Sequence, residues 1–417
     1  MNLLFYPLVH HPLKTLVKAL CVALIVTGCG GGGTSGSATK TSFASGPITG
    51  LGSIYVNGVR YDDSSAKVSS EDDDSGTSRD RSELKLGMVV EIEASGSSSD
   101  GSSRSGTASE VRFGSEIVGP FDKTSVNLTA MTFELLGQTV KVTGETMFED
   151  LNVAAWKDLP NGFVLEVHGI RQTDGSYLAT RIEAESATHF KLRGAISELN
   201  VVPDTFKIGT ALISYASIKP LTMTLQDGDI VRVKLATAPA TIDGPWVATK
   251  IKSGDRKMSD HDEAEVKGVL AIIPATTSAP TTSAPTTYTV DGRAFVLDVG
   301  IALPAGAGNG AYVEVEGRVV GGQFIASKIE IEDESSPDFG EFVFKDKIAA
   351  LVETTNGDAT EFTVKGMKIL VDASTMFTSP ATSAGIKNDD CVEVKAAPIV
   401  GGTDLLAKLI KLDNSCR

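Results

Sequence analysis

The side chains of this sequence that could carry chemistry are mainly acidic. Glu71, Asp73 and Ser75 alternate in a stretch that ends at Gly76, and oxygen ligands at alternate positions before a glycine are typical of a calcium-binding loop. Such a loop closes with an acidic residue six positions after the glycine, where this sequence has Ser82. Glu71, Asp73 and Ser75 are therefore a candidate metal site, but the pattern favours a solvated acidic loop.

Histidine could supply a general base, and three histidines follow the N-terminal region: His168, His189 and His261. Nucleophilic catalysis needs such a base beside serine or cysteine, and the sequence contains no G-x-S-x-G elbow. His168 alternates with apolar residues in the stretch VLEVHG, which predicts a solvent-facing side chain on a strand. His189 and the charged stretch 260–263 read as connections between units, so the sequence does not predict a hydrolase.

Paired carboxylates could instead act on glycosidic bonds, and Glu166 and Glu314 are the acids to test. Both stand at the same position of a repeated strand, and this repetition favours a structural role. Trp156 and Trp246 could form a sugar-binding surface, but burial in a small core is the stronger expectation. We predict no catalytic residues and no cofactor.

Composition narrows the classes of partner. The chain has 417 residues with 38 basic and 53 acidic side chains, and its net charge is -15. Because so acidic a chain repels a phosphate backbone, we predict that it does not bind nucleic acid. Hydrophobic residues make up 41% of the chain, which is enough to fold.

The N-terminus has the features of an export signal. Lys14 and Lys18 precede the apolar run 19–26, ALCVALIV, which is too short to span a bilayer. The run leads into VTGC, which resembles the lipobox of bacterial lipoproteins. This resemblance implies cleavage before Cys29, acylation of Cys29 and, because Gly30 follows, transport to the outer membrane. A secretory signal without lipid is the alternative.

Two cysteines remain near the C-terminus. Cys391 begins the strand CVEVKA and Cys416 follows the strand AKLIKL. An antiparallel hairpin of these strands would bring the two residues together at its open end. An even pair in an exported chain favours a disulfide, and two unpaired thiols are the alternative.

The rest of the chain repeats one pattern of two strands joined by a glycine turn. The second copy reads GFVLEVHG and DGSYLATRIEAE, and the fourth reads GAYVEVEGR and GGQFIASKIEIE. An alanine recurs in the second strand: Ala108, Ala179, Ala248, Ala326 and Ala407. A glutamate recurs in the first strand, with one departure: Glu91, Glu166, Arg232, Glu314 and Glu393.

The front half of each copy reads as three shorter strands. Val, Ile, Thr and Phe alternate with polar residues there, which is typical of strands with one buried face. Asn57-Gly58, Asp291-Gly292 and Lys365-Gly366 predict two-residue hairpin turns. Five strands, with a short helix or loop between the third and the fourth, follow the element order of the OB fold. An SH3-like barrel or a small sandwich is the alternative.

We therefore predict an all-β protein of five tandem, five-stranded antiparallel barrels, OB-like, after a disordered signal and tether. Closure into barrels would remove the sheet edges. The predicted bounds are 1–28 for the signal peptide, 29–45 for the Gly/Ser tether, and 46–116, 117–189, 190–257, 258–335 and 336–417 for units 1 to 5.

The motifs of these units resemble one bacterial family. GPFDKTSV, FELLGQTVKV, LPNGFVLEVHG and DGSYLATRIEAE follow one another in unit 2, and this order is similar to the domain of unknown function 5666. The resemblance extends over residues 46–415. It implies an exported, β-rich repeat protein, and it brings no catalytic residues.

Together these features predict a membrane-anchored lipoprotein of the bacterial cell envelope with a non-catalytic binding or structural role. Its partners would be the membrane, through the lipid, and an envelope protein or polysaccharide. A calcium- or oligosaccharide-binding protein is the first alternative. An enzyme that acts on polysaccharide through carboxylates is the second.

Overall fold

The computed structural model describes residues 40–73, 76–99, 104–149, 151, 156–239, 241, 244–256, 258–274, 286–332, 341–399, 404–413 and 416. The predicted signal peptide, Cys29 and Ser75 lie outside these ranges, as does nearly all of the Thr/Pro segment. Regular helix in the described part is limited to three short 3₁₀ turns, Arg81–Glu83, Trp156–Asp158 and Ala216–Ile218. None of the described helices is both long and apolar enough to cross a membrane. The prediction of an all-β chain is confirmed.

The strands follow the predicted units. Unit 1 contains β1 (Thr41–Leu51), β2 (Ile54–Val56), β3 (Val59–Asp62), β4 (Lys67–Ser70), β5 (Val89–Ser99) and β6 (Arg104–Phe113). Unit 2 contains β7 (Ile117–Asn127), β8 (Thr132–Leu135), β9 (Gln138–Lys141), β10 (Met147–Glu149), β11 (Val164–Arg171) and β12 (Tyr177–Ala184). Unit 3 contains β13 (Phe190–Ala195), β14 (Ser197–Asn200), β15 (Thr205–Ile208), β16 (Ala211–Ser214), β17 (Ile230–Pro239) and β18 (Trp246–Ser253).

The last two units follow the same plan. Unit 4 contains β19 (His261–Ile273), β20 (Thr287–Val290), β21 (Arg293–Leu297), β22 (Tyr312–Val320) and β23 (Gln323–Ile331). Unit 5 contains β24 (Phe342–Lys347), β25 (Ala349–Glu353), β26 (Ala359–Val364), β27 (Met367–Leu370), β28 (Met376–Thr378), β29 (Cys391–Pro398) and β30 (Leu405–Leu412).

The strands of unit 1 close into a five-stranded ring. β1 pairs with β2, β2 with β3, β3 with β6, β6 with β5, and β5 with β1. Unit 2 closes in the same way through β7, β8, β9, β12 and β11. One pair of each ring, β3 with β6 and β9 with β12, is parallel, so the barrels are not wholly antiparallel. A crossover separates these strands in the chain, which is the connection that a parallel pair requires.

The other units keep this order of pairs with local differences. In unit 4 the pairs run from β19 through β20, β21, β23 and β22 back to β19. In units 3 and 5 the first strand is split at Ile196 and at Ile348. The pairs of unit 3 run from β13 through β17, β18, β16 and β15 to β14. Those of unit 5 run from β24 through β29, β30, β27 and β26 to β25.

The prediction of five separate barrels in tandem is wrong, because strands pair across the unit boundaries. β1 pairs in parallel with β19 of unit 4 and with β24 of unit 5, and β7 pairs with β13. The described strands therefore form one sheet of 18 strands and one of 12. Units of about 70 residues are near the lower size limit for an independent core, so they gain stability by sharing strands.

The hydrophobic cores are shared in the same way. One core combines units 1 and 5, and a second combines units 2 and 3. The third lies in unit 4 and includes Phe43 of β1. Because β1 begins at Thr41 and its Phe43 is buried, the predicted tether extends too far, and the fold starts before residue 45. Trp156 is buried and Trp246 packs against the same core, as predicted for both.

A β-bulge recurs in every closing hairpin and explains the repeated alanines. The register between the two strands shifts immediately before each pair, and the partners of the alanines after the shift are Ala94, Gly169, Leu235, Gly317 and Ala396. The five repeated alanines are at most 1% exposed. A Cβ on Gly169 would collide with the carbonyl oxygen of Leu178. Small residues are therefore needed where the bulge bends the hairpin into the barrel.

The predicted two-residue turns are confirmed. Asn57 and Gly58 both have positive φ, 53° and 72°, between the paired residues Val56 and Val59. Asp291-Gly292 and Lys365-Gly366 have the same pair of positive φ angles. These are the backbone angles that a tight hairpin turn requires.

Candidate functional site

The acidic residues singled out in the sequence lie on the outer faces of the closing hairpins. Val167 on β11 points into the barrel core, so Glu166 and His168 on either side of it face outward. By the same alternation Glu91 on β5 and Glu314 on β22 face outward. Neighbouring units cover these faces, and Glu91 and Glu314 are only 5% and 8% exposed.

Eight charged side chains meet where units 1, 3 and 4 come together, and we call them the buried ion cluster. Its members are Glu71, Glu91, Glu116, Arg193, Arg232, Arg256, Asp291 and Arg293. Four are acidic and four are basic, so their formal charges cancel. Each side chain is at most 12% exposed.

Arg256, in the connection between units 3 and 4, lies at the centre of this cluster. Its Nη1 donates to Asp291 Oδ2 at 2.7 Å, and its Nη2 donates to Glu116 Oε1 at 2.8 Å. The other oxygen of Glu116 accepts from Arg193 Nη1 at 3.0 Å, and Arg293 Nη1 donates to Asp291 Oδ2 at 2.8 Å. The pKa of Asp291 is lowered because these arginines outweigh the effect of its burial.

Glu91 connects unit 1 to the same cluster. Its Oε1 accepts from Arg293, and its Oε2 accepts from Arg112 Nη1 at 2.7 Å. Arg112 is the cross-strand partner of Glu91 on β6. One carboxylate thus holds an arginine of its own unit and an arginine of unit 4.

The one departure from the repeated glutamate, Arg232 in unit 3, also belongs to this cluster. Arg232 forms an ion pair with Glu71 of unit 1. A glutamate at position 232 would face Glu71 with the same charge, whereas the arginine makes the contact attractive. The departure therefore fits the assembly of the units.

The candidate calcium loop is placed beside this ion pair. Glu71 is held by Arg232, and the side chain of Asp72 accepts from Lys191 Nζ. The acidic segment before Gly76 thus contacts cations of unit 3. Ser75, the third predicted ligand, lies outside the described residues, so the ligand set as a whole stays a prediction.

A second cluster lies on the outer face of unit 2. Glu166 pairs across the hairpin with Glu183, and His168 lies two residues along β11. His168 Nε2 is 3.8 Å from Glu166 Oε1 and 3.8 Å from Glu183 Oε1. These are the atoms of one compact group, all within 4.8 Å of one another.

The prediction that His168 faces solvent is wrong. The ring is outward from its own barrel but only 1% exposed, because Ile170 next to it packs on Val89 of unit 1 and Val269 of unit 4. Neither ring nitrogen has a hydrogen-bond partner. Burial lowers the pKa of His168, and the charges of Glu166 and Glu183 act in the opposite direction.

A third group of acids lies on unit 4. Glu314 Oε2 is 3.3 Å from Lys267 Nζ, and burial raises the pKa of Glu314. Burial also raises the pKa of Glu265 to about 8, assisted by the charge of Glu314 and opposed by Arg104. Glu166 and Glu314, the two acids considered for glycoside chemistry, thus belong to different clusters.

The stretch 260–263 is not a free linker, because β19 begins at His261. His261 is 6% exposed, and its Nε2 is 3.2 Å from Glu93 Oε2 of unit 1. Its Nδ1 is 2.8 Å from the carbonyl oxygen of Ser259. His261 therefore belongs to the contact between units 1 and 4, together with the parallel pairing of β1 and β19.

The structure joins Cys391 and Cys416 in a disulfide with a Cα–Cα distance of 5.7 Å. Cys391 is at the start of β29, and its carbonyl oxygen accepts from the backbone N–H of Asp413, just after β30. The bridge thus fastens the open end of the last hairpin.

Two clefts between units have mostly polar walls. The larger, of about 1080 Å³, lies between Arg60 and Asp62 of unit 1 and Lys345 and Lys365 of unit 5. The smaller, of about 650 Å³, lies between units 1 and 4. Their charged walls suit a small polar ligand better than an apolar one.

Sequence reasoning missed the basic members of the buried ion cluster. Arg193 alternates with apolar residues in FKLRGA, and Arg293 follows a hairpin turn. Each sits at an outward position, where an arginine ordinarily signals solvent. The available signal was Arg232, whose reversed charge indicated that the outer face of unit 3 meets acidic side chains.

Two segments of the chain match one family model. Residues 124–183 of unit 2 and 351–411 of unit 5 match the family described as Domain of unknown function (DUF5666). The resemblance is confirmed for these units, and the chain is a repeated protein that carries this domain. A search of curated proteins found no match.

Proposed function

We propose that this DUF5666 protein is a lipid-anchored component of the bacterial cell envelope with a non-catalytic, binding or structural role. The observation that supports the non-catalytic role is the buried ion cluster. Its acidic side chains accept hydrogen bonds from arginines of other units. Carboxylates used in this way serve the assembly of the units and are not presented to a substrate.

The clusters also argue against a pair of catalytic carboxylates at Glu166 and Glu314. A glycosidase places its two carboxyl groups on either side of one bond, about 5–10 Å apart. Glu166 instead lies beside His168 and Glu183, and Glu314 beside Lys267. We therefore interpret the repeated glutamate as a contact residue between units.

We further propose that all five units descend from one barrel. When the split strands of units 3 and 5 are each counted as one bent strand, their pairs follow the ring of units 1 and 2. The bulge opposite a buried alanine recurs in all five. The shared strands then turn the repeated barrels into one rigid body for display from a membrane.

Lipid attachment is tested by expression of the full chain in bacteria with a radiolabelled fatty acid. The wild type and Cys21→Ala should incorporate label, whereas Cys29→Ala should not, because Cys21 lies in the apolar run. Membrane fractionation follows the same variants, and Cys29→Ala should leave the membrane. Label on Cys29→Ala would contradict the proposed anchor.

The role is tested with the anchored protein as bait in solubilised envelope. Recovery of one stoichiometric protein or polysaccharide supports a binding role. For the enzymatic alternative, envelope polysaccharide is incubated with the wild type and with the double variant Glu166→Gln/Glu314→Gln. Release of products by the wild type and not by the double variant would refute the non-catalytic role.

A further inference from the structure

We propose that Glu166, His168 and Glu183 bind one divalent transition-metal ion, of the class of Zn²⁺, on the outer face of unit 2. This proposal is independent of the lipid anchor and of the role suggested above. It also differs from the predicted calcium loop, which lies in unit 1.

The hairpin of β11 and β12 places the three ligands. Glu166 and His168 are two residues apart, so they lie on the same face of β11. Glu183 is the direct cross-strand partner of Glu166. The imidazole Nε2 is 3.8 Å from an oxygen of each carboxylate.

These separations suit a common metal ion. Zn²⁺ binds imidazole nitrogen and carboxylate oxygen at about 2.0–2.2 Å, so two ligand atoms of one ion lie roughly 3–4 Å apart. The distances from Nε2 to both oxygens already fall in that interval. Small rotations of the two glutamate side chains would complete the site.

The second observation is the imidazole itself. His168 is 1% exposed, and neither of its nitrogens has a hydrogen-bond partner. An unpartnered polar group in the interior destabilises a fold by about 1–3 kcal/mol. A metal ion bound at Nε2 would give this nitrogen a partner, in the direction of the two carboxylates.

The surrounding charges favour a cation. Glu149 and Glu183 both contact Arg181, and Glu185 adds a carboxyl group that hydrogen-bonds to Glu166. Three acids and Glu166 thus surround one arginine. The nearest other cation, Lys191, is paired with Asp72.

Arg181 also orients one ligand. Its Nη2 donates to Glu183 Oε2 at 2.7 Å and its Nε to Oε1 at 3.2 Å, and such outer contacts fix the direction of a metal-bound carboxylate. The side chains of Glu166 and Glu183 are 20% and 17% exposed. An ion can therefore enter from the carboxylate side while the imidazole stays buried.

The ligand set selects the class of ion. One imidazole and two carboxylates suit Zn²⁺ and related first-row ions, whereas Ca²⁺ prefers six to eight oxygens. A second acidic group, Glu314, Glu316 and Glu330, lacks a histidine. Glu314 lies against Lys267, and Glu316 accepts from Lys328, so this group serves as an internal control.

The test is isothermal titration of the full-length protein, purified in detergent, with ZnCl₂ and separately with CaCl₂. The wild type should bind one Zn²⁺ per chain in preference to Ca²⁺. His168→Leu and Glu166→Gln should each weaken Zn²⁺ binding by at least about 10-fold, the loss seen even when outer-shell groups are removed. His189→Gln and Glu314→Gln should bind as the wild type does.

Thermal melting of the metal-free proteins separates binding from folding. His168→Leu removes an unpartnered buried polar group, so it should melt no lower than the wild type. If this variant fails to fold, Glu166→Gln and Glu183→Gln decide the question, since both side chains reach the surface. The proposal is overturned if the wild type shows no saturable Zn²⁺ binding, or if these variants bind Zn²⁺ with unchanged affinity.

Discussion

Removal of the Arg256 side chain provides the strongest test of the buried ion cluster. Arg256 is the only member with short contacts to both Glu116 and Asp291 among the described residues. Arg256→Met keeps a long side chain and removes the charge, so four acids would face three arginines in the interior. The free energy of unfolding should therefore fall.

The size of this fall follows from the partners that remain. Breaking a buried ion pair destabilises a fold by about 3–5 kcal/mol, because a buried charge is left without compensation. Glu116 keeps Arg193 at 3.0 Å, and Asp291 keeps Arg293 at 2.8 Å. We therefore expect a loss at the lower end, about 3 kcal/mol.

The assay is urea unfolding followed by tryptophan fluorescence. Trp156 and Trp246 both contact the core shared by units 2 and 3, which holds the strand of Arg193. Arg318→Met is the matched control, since Arg318 is 43% exposed and pairs with Asp298 at 2.7 Å. This exposed pair should contribute less than about 1 kcal/mol.

Salt gives a second comparison. Exposed charges are screened at 1 M NaCl, whereas buried charges are screened much less. The loss in Arg256→Met should therefore persist at high salt, and any loss in Arg318→Met should vanish. Equal stability of Arg256→Met and the wild type would refute the idea that this arginine holds the units together.

Three further predictions concern other parts of the fold. Cys391→Ala/Cys416→Ala should lower the stability of unit 5 by about 3 kcal/mol in thermal melting, and a reducing agent should reproduce this loss in the wild type but not in the variant. Ala326→Leu should destabilise by about 1–3 kcal/mol in urea, because it overpacks the strand opposite a bulge; a neutral result would contradict the role given to the alanine. For Glu265, the raised pKa of about 8 means that the folded state holds its proton more tightly than the unfolded state. Its contribution to stability is thus full below about pH 4.5 and is lost as the pH rises through 8, at no more than about 1.4 kcal/mol per pH unit. Glu265→Gln should flatten this part of the stability profile, and an unchanged profile would show that Glu265 does not titrate there.

The repeated residues made much of each unit predictable. The alternation of Glu166, Val167 and His168 gave the strand and its two faces, and Asn57-Gly58 gave a turn. These features depend on neighbours within the same hairpin, and local sequence specifies them. The repeated alanines marked a buried position, although the bulge opposite them was not foreseen.

The contacts between units were not predictable in the same way. Alternation showed that His168 points away from its own barrel, but not that units 1 and 4 cover it. Arg256 lies in a connection without periodicity, and its partners Glu116 and Asp291 are remote in the chain. One sequence does not show which outward faces meet, because several arrangements of similar barrels satisfy the same local pattern.

The pairing of β1 has a consequence for biogenesis. The first strand is held by strands of the last two units, and Lys40 contacts Glu263 across 223 positions. A chain that crosses a membrane from its N-terminus would deliver this strand long before its partners arrive. Completion of the fold would then wait until the final hairpin has emerged, so a truncated chain would expose the edge of its opening strand to proteases and to association.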